Sequence, residues 1–451
     1  MPMTIDIESQ RMLLGTTPVR KIYQGTNLLG TRIAELFANG EQGVWYDPSD
    51  LSTLFQDAAG TLPVTAMEQP VGLMLDKSGR GNHAVQATTT ARPVVSARYN
   101  LLTQTEDFSH PDWSSSFKFT YAPVAAPDGT LTAQELTSLG LPSVPSKTGL
   151  VGLATGIRFT VWLKAGTLSS PVTLVRNNTT ATNLVQLSFT GSVSNSYGTG
   201  TTQVGQNGWV KHTIRITSGI SPGDQIWVYY GWTGGVPIGQ TFSVWRPDVR
   251  AISDVALPDY QRVTSATDYD TAGFPVYLKP DGVDDWMQTV SPINFGTSDE
   301  LGLVAGVTKF NEALPAYQCV CDLGTGNLDG AFTAWFPYDA TQHSRWIARG
   351  TASQSVVYDT VPGALTAVFS GQLDYSAFQM IHKLNGLTRK VYSKSAEVAT
   401  LRADTLYLFS RAGVSSRMRG RFYGLLIVGR ACSEAEMNSM RQYMRNKSRA
   451  Y

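Results

Sequence analysis

Short runs that alternate apolar and polar residues, each closed by turn formers, fill most of this chain, and that pattern commits it to a β fold. Val210–Ile216 reads VKHTIRI, which puts Val210, His212, Ile214 and Ile216 on one face and Lys211, Thr213 and Arg215 on the other. Arg158–Leu163 (RFTVWL) runs into Lys164-Ala165-Gly166 as a strand ending in a turn, and Gln225–Trp232 (QIWVYYGW) is another strand. Further runs follow at Leu301–Val307, Phe332–Phe336, Ser355–Tyr358, Thr366–Phe369, Thr405–Phe409 and Arg421–Val428. Charged residues make up only 16%, while 42 Gly and 22 Pro supply turns, so helices lack their usual Glu, Lys and Ala. Strands at this spacing with no helix-period segment between them predict antiparallel sandwiches.

One helix stands out. In SEAEMNSMRQYMRNK, Ser433 and Glu436 have the spacing of a capping box, and Met437, Met440 and Met444 recur at helical intervals. The methionine stripe is expected to pack on its own sandwich rather than on a partner. At 451 residues the chain can hold two or three cores. A net charge of +1 gives no field that would gather nucleic acid or an anionic membrane. No run is long and apolar enough to span a bilayer, and the acidic start MPMTIDIESQ is not expected to act as a secretory signal. Cys319 and Cys321 flank Val320, so on a regular strand both face one core; with Cys432 they make neither a disulfide framework nor a zinc site.

Texture divides the chain. Residues 1 to about 40 hold two apolar runs around Gly25-Thr26-Asn27, a hairpin signal with too little chain for its own core. Gly43–Val95 is dense in turns, including Asp47-Pro48 and Lys77-Ser78-Gly79-Arg80-Gly81-Asn82. Near Arg98 the texture changes, and from Asp268 strands of another kind resume. The pieces WYDPSDLSTLFQD, DKSGRGNHAVQATTTARP and KPDGVDDWM resemble successive signatures of concanavalin A-like lectin domains in tailed-phage and prophage proteins, except that Arg92-Pro93 and Asp281-Gly282-Val283-Asp284-Asp285 are here far apart. The intervening NLLTQTEDFSHPDW, FTVWLKAG and GWVKHTIRIT resemble a carbohydrate-binding-module-like jelly roll, with VWRPDVRAISD in place of its usual Gly-Ala-Gln-Leu-Glu ending. KIYQGTNLLGT is similar to a short N-terminal element associated with virion attachment.

The expectation is therefore an all-β chain of two nested antiparallel sandwiches. Residues 1–40 form an attachment element, 41–98 plus 265–451 a discontinuous lectin-like sandwich, and 99–264 an inserted jelly roll. The resemblance implies a phage tail-fibre or tail-tip protein, made in the host cytoplasm and carried on the virion. It would be homotrimeric, bound to other virion proteins through its N-terminus and to host surface polysaccharide through its sandwiches. A purely structural virion role and a polysaccharide depolymerase are the alternatives.

Chemistry is harder to place. No Glu-x-Asp-x-Glu run supplies paired carboxylates, Asp284 and Asp285 would point to opposite faces of a strand, and no Gly-x-Ser-x-Gly nominates a nucleophile. The chain is read as a non-enzyme without cofactor or metal. Asp322, Asn327 and Asp329 lack the spacing of a calcium loop and read as a glycine-rich hairpin turn. Sugars need flat aromatic faces beside planar polar groups. Two neighbourhoods offer them: Tyr229, Tyr230 and Trp232 at the end of one strand, and a loop from Tyr338 to Trp346 that also carries His343 and Arg345. Trp113, Trp162 and Trp209 are expected in the core, and Trp45 and Trp286 in sandwich packing.

Overall fold

The computed structural model describes residues 3–6, 11–14, 17–19, 21–24, 27–113, 118–140, 146–151, 156–221, 223–231, 236–252, 257–296, 298–310, 317–324, 328–339, 343–350, 354–360, 365–377, 379–393 and 400–450. The chain divides into two compact units, one of Met1–Ser96, Pro275–Lys309 and Ala313–Tyr451, the other of Ala97–Phe274 and Phe310–Glu312. Among the described residues every strand pairing is antiparallel in both, as the period-two runs demand. The architecture is all-β, with nested sandwiches and, among the described residues, one α-helix, at the C-terminal side.

In the first unit an eight-stranded sheet is built around Glu300–Lys309, Leu365–Asp374 and Gly420–Val428, and Gly43–Tyr46 pairs with the last of these. A nine-stranded sheet faces it, running from Gln354–Thr360 through His343–Arg349, Phe332–Trp335 and Cys319–Leu323 to Leu54–Phe55. Leu303, Ala305 and Val307 from one sheet meet Cys321, Ala334 and Trp346 from the other in one core. The helix Glu434–Ser448 lies on the outer face of the eight-stranded sheet. Met437, Met440 and Met444 join Val304, Val368, Leu426 and Val428 there, as the stripe requires. Its capping box is formed by Ser433 and Glu436. At the N-terminus Lys21–Gln24 and Asn27–Thr31 make the expected hairpin, preceded by three short strands between Met3 and Val19.

One expectation fails here. A bulge between Cys319 and Cys321 breaks the alternation, so Cys321 enters the main core while Cys319 packs outside it with Trp335 and Ile347. In the hairpin read from Asp322, Asn327 and Asp329, Asp322 is buried in the strand Cys319–Leu323 and accepts a hydrogen bond from the Thr333 hydroxyl at 2.5 Å; Asp329 is exposed, and Asn327 lies outside the described residues.

The second unit is a smaller sandwich. Its six-stranded sheet runs Phe119–Val124, Ala133–Ser138, Thr241–Ala251, Ile157–Ala165, Trp209–Ile216 and Gly198–Val204; its five-stranded sheet centres on Gln225–Tyr230 and Thr173–Asn177. Phe159, Val161 and Leu163 face Val175, Ile226, Val228 and Tyr230 across the core. His212, Ile214 and Ile216 point inward as read from VKHTIRI. The alternate residues of the six-stranded sheet therefore point outward, and they build the site described next.

Candidate functional site

Alternation along Ile157–Ala165 sends Arg158, Thr160 and Trp162 to the outer face of the six-stranded sheet, and neighbouring strands add Lys211 and Trp245 beside them. Trp162 lies opposite both Lys211 and Trp245 in the ladder. Past Trp245 the register shifts, and Arg246 takes a left-handed φ of +48° ahead of Pro247. A non-glycine residue held there costs about 1–2 kcal/mol, and bulges of this kind re-aim side chains at functional sites. Arg246 leaves the sheet plane, and its guanidinium carbon sits 4.0 Å from the Trp245 ring centroid and 5.4 Å from that of Tyr260.

The result is a groove of about 330 Å³ lined by Pro127, Asp128, Thr160, Trp162, Lys211, Trp245, Arg246, Asp259 and Tyr260. Trp162 is half-buried, its ring 6.1 Å from that of Trp245 and tilted 55° to it. Gly205 leaves room for the Trp162 ring, since a Cβ there would fall 2.5 Å from Trp162 Cζ3. The walls are fixed from behind. The buried pair Asp248 and Arg250 holds residues 258–261: Arg250 Nη1 donates to the Pro258 carbonyl at 2.8 Å, and the Gln261 N–H donates to Asp248 at 3.0 Å. The Tyr260 hydroxyl meets Thr105 Oγ1 at 2.7 Å.

Charge in the groove is paired. Arg246 meets Asp128 at 3.2 Å and Lys211 meets Asp259 at 2.5 Å, with Arg158 at 3.7 Å from Asp259. A hydrogen bond from Lys211 holds the Asp259 carboxyl below its ordinary range, and one from Thr130, then Arg246, does the same for Asp128. An open aromatic face flanked by fixed donors and acceptors suits a ring that is apolar on its faces and hydroxylated at its edge.

The residues singled out in the sequence are distributed differently. Tyr229 is half-buried on the outer face of the five-stranded sheet, 6.1 Å from Trp227 between ring centroids, and away from the groove; Tyr230 is core, and Trp232 lies outside the described residues. Tyr338, His343 and Arg345 do come together in the other unit. Arg345 lies 3.8 Å over the Tyr338 ring, Asp339 bonds His343 Nδ1 at 2.6 Å, and Tyr317 and Trp335 complete an aromatic cluster. Trp346 does not belong there. His343–Arg349 is a strand, so the neighbour of an outward Arg345 must point inward, and Trp346 is fully buried in the core. Among the expected core tryptophans, Trp113 and Trp209 are buried as read, whereas Trp162 faces the groove. Trp162, Trp245, Arg246 and Tyr260 line the groove without having been expected as site residues. The signal was present: Trp162 alternates with Phe159, Val161 and Leu163.

The turn-rich pieces around Asp76 and Asp281 are held by internal hydrogen bonds. Asp76 accepts from the N–H groups of Trp45, Ser78 and Asn82 at 2.9, 2.9 and 3.1 Å, and Asn82 Nδ2 donates to the Gly43 carbonyl at 2.8 Å. Asp284 and Asp285 do not sit on a strand with opposed side chains; residues 282–284 bend, and an oxygen from each of Asp281, Asp284 and Asp285 falls within 4.8 Å of the others. Asp281 accepts the N–H groups of Val283 and Asp284 at 2.7 and 3.2 Å, the turn bonding expected of this run. No described helix is long and apolar enough to cross a membrane.

No family model matches the chain, and no curated protein matches it. Among solved structures, the CBM40 of the Ruminococcus gnavus IT-sialidase bound to α2,6-sialyllactose is similar at 13% identity, over 37% of this chain and 96% of that one, with a TM-score of 0.29. A leech intramolecular trans-sialidase is similar at 11% identity over 32% of this chain and 24% of that one, with a TM-score of 0.26. The binding domain of Botulinum neurotoxin serotype D is similar at 8% identity over 38% and 42%, with a TM-score of 0.31.

Proposed function

We propose that this protein binds saccharides in the groove of the second unit, with Trp162 as the stacking face and Asp128, Lys211 and Asp259 as hydrogen-bonding walls. The observation that carries this reading is the half-buried Trp162 ring on the floor of a groove whose every charged wall residue is already fixed by an ion pair. Neither wall carboxylate suits a general acid, because the Thr130 hydroxyl and then Arg246 at Asp128, and Lys211 at Asp259, favour the ionised form, and the reading is of binding rather than hydrolysis. The protein carrying this groove would be a tail-fibre or tail-tip component that engages host surface polysaccharide. Three copies on a fibre would turn weak sites into firm adsorption. The sequence resemblances support the virion setting and the N-terminal attachment.

Binding of the intact protein to arrayed bacterial surface polysaccharides tests the site. Trp162→Ala is expected to weaken retention about tenfold, and unchanged retention would remove the groove from the reading. Coating host cells with the protein tests the virion role, which predicts a dose-dependent loss of phage attachment. A purely structural virion role is favoured for the first unit, whose signature residues are taken up by internal hydrogen bonds.

A further inference from the structure

The groove holds two tryptophans, yet only one offers an open face. Trp162 is half-buried, whereas Trp245 is 4% exposed and has the Arg246 guanidinium 4.0 Å from its ring centroid. The cover is local and lightly held. Arg246 is the residue that the register shift adds to the strand, at φ +48°, so the ladder does not need its side chain. Its polar hold is the ion pair with Asp128, whose partners are 39% and 37% exposed, and its Nε has no hydrogen-bond partner. An ion pair this exposed contributes little, so the contact with the Trp245 ring is what keeps the guanidinium in place. The ring beneath is fixed by other means: Trp245 Nε1 donates to Thr132 Oγ1 at 2.9 Å, and the ring packs with Ala126, Ala133 and Trp209.

From this arrangement, and resting on the saccharide-binding reading above, we infer that Arg246 is a specificity-determining cap that covers Trp245 and limits the groove to one stacked sugar ring. With the cap in place Trp162 takes a single ring and longer saccharides gain little from their further units. With the cap gone, Trp245, 6.1 Å from Trp162 between centroids, becomes a second stacking position.

Arg246→Gly is the test, because glycine takes the left-handed backbone without strain and the variant is expected to fold. Arg246→Asn, also tolerant of that region, is the second variant. Acrylamide quenching of tryptophan emission reads the cap directly: it should rise in Arg246→Gly, and the rise should vanish when Trp245→Phe is added. An array of homologous mono- to hexasaccharide series reads specificity. The wild-type signal should level off after the shortest members, while Arg246→Gly should bind the longer ones about tenfold more tightly, a gain lost on adding Trp245→Ala. Unchanged quenching, or the same length dependence in variant and wild type, would overturn the cap. Uniform weakening from the monosaccharide upward would make Arg246 a direct ligand contact, overturning the cap while leaving saccharide binding intact. No retention of any saccharide by wild type or variants would remove the saccharide reading and this inference with it.

Discussion

Asp285 is 5% exposed and shares its turn with two other carboxylates. Burial, and then the nearby Asp281 charge, push its carboxyl from 3.8 up to about 7. The folded protein thus keeps a proton there that the unfolded chain releases near pH 4. The stability tied to that proton is complete below about pH 4 and is lost as the pH rises through 7, about 4 kcal/mol in all. Asp285→Asn keeps an oxygen for the Asp281 N–H, so it should raise the melting temperature at pH 8 and leave it unchanged at pH 4. Equal shifts at both pH values would show that the carboxyl is not the cause. Gly371 presents a steric case. A Cβ there would lie 1.2 Å from Trp346 Cζ3, so the buried ring lies against bare backbone. Gly371→Ala is expected to cost about 3 kcal/mol by displacing that ring. In a Trp346→Ala background most of this cost should disappear, and additive losses in denaturant melts would contradict the contact.

The C-terminal helix is bound to the sheet by more than its methionines. The Tyr443 hydroxyl donates to Asp47 at 2.7 Å and accepts from Trp45 Nε1 at 3.0 Å, while Lys77 and Lys447 flank the same carboxylate at 3.2 and 3.0 Å. Burial alone would raise the Asp47 carboxyl, but Lys447 and Lys77 hold it down to about 2. Tyr443→Phe leaves the indole donor unpaired and should cost about 2 kcal/mol in urea unfolding; a change near zero would mean the helix depends on apolar contact alone. Elements such as this helix were legible in advance, because Ser433, Glu436 and the methionine spacing are local signals. So was the inward face of VKHTIRI. The groove was not, since Asp128, Trp162, Lys211, Trp245 and Asp259 become neighbours only through the order of strands in a sheet. Bulges did the rest of the damage. One extra residue near Cys319 or Arg246 reverses which face a side chain takes, and only the Arg246-Pro247 pair hints at this in the sequence.

At the scale of the whole chain, the interruption is placed where the first unit can tolerate it. Val94–Ser96 pairs antiparallel with Tyr277–Lys279, with Ser96 directly opposite Tyr277. A short turn can therefore join them, as in any hairpin. The second unit ties its own ends: the Gln261 side chain bonds the backbone of Ala97, Tyr99, Asn100 and Asp270. Replacing Ala97–Phe274 by a four-residue turn should leave a protein with one cooperative melt, and Ala97–Phe274 alone should melt cooperatively too. Aggregation of both pieces, with no transition, would show that neither core is self-sufficient. The same ladder also sets a timetable on the ribosome. Val94–Ser96 emerges long before its partner strand, and Gly43–Tyr46 waits far longer, for Gly420–Val428. At roughly 5–20 residues per second, the inserted sandwich has all its strands while the surrounding one is still missing most of its own. The inserted segment is thus able to close before the strands around it, and Gly43–Tyr46 stays without its sheet partner until Gly420–Val428 has been made.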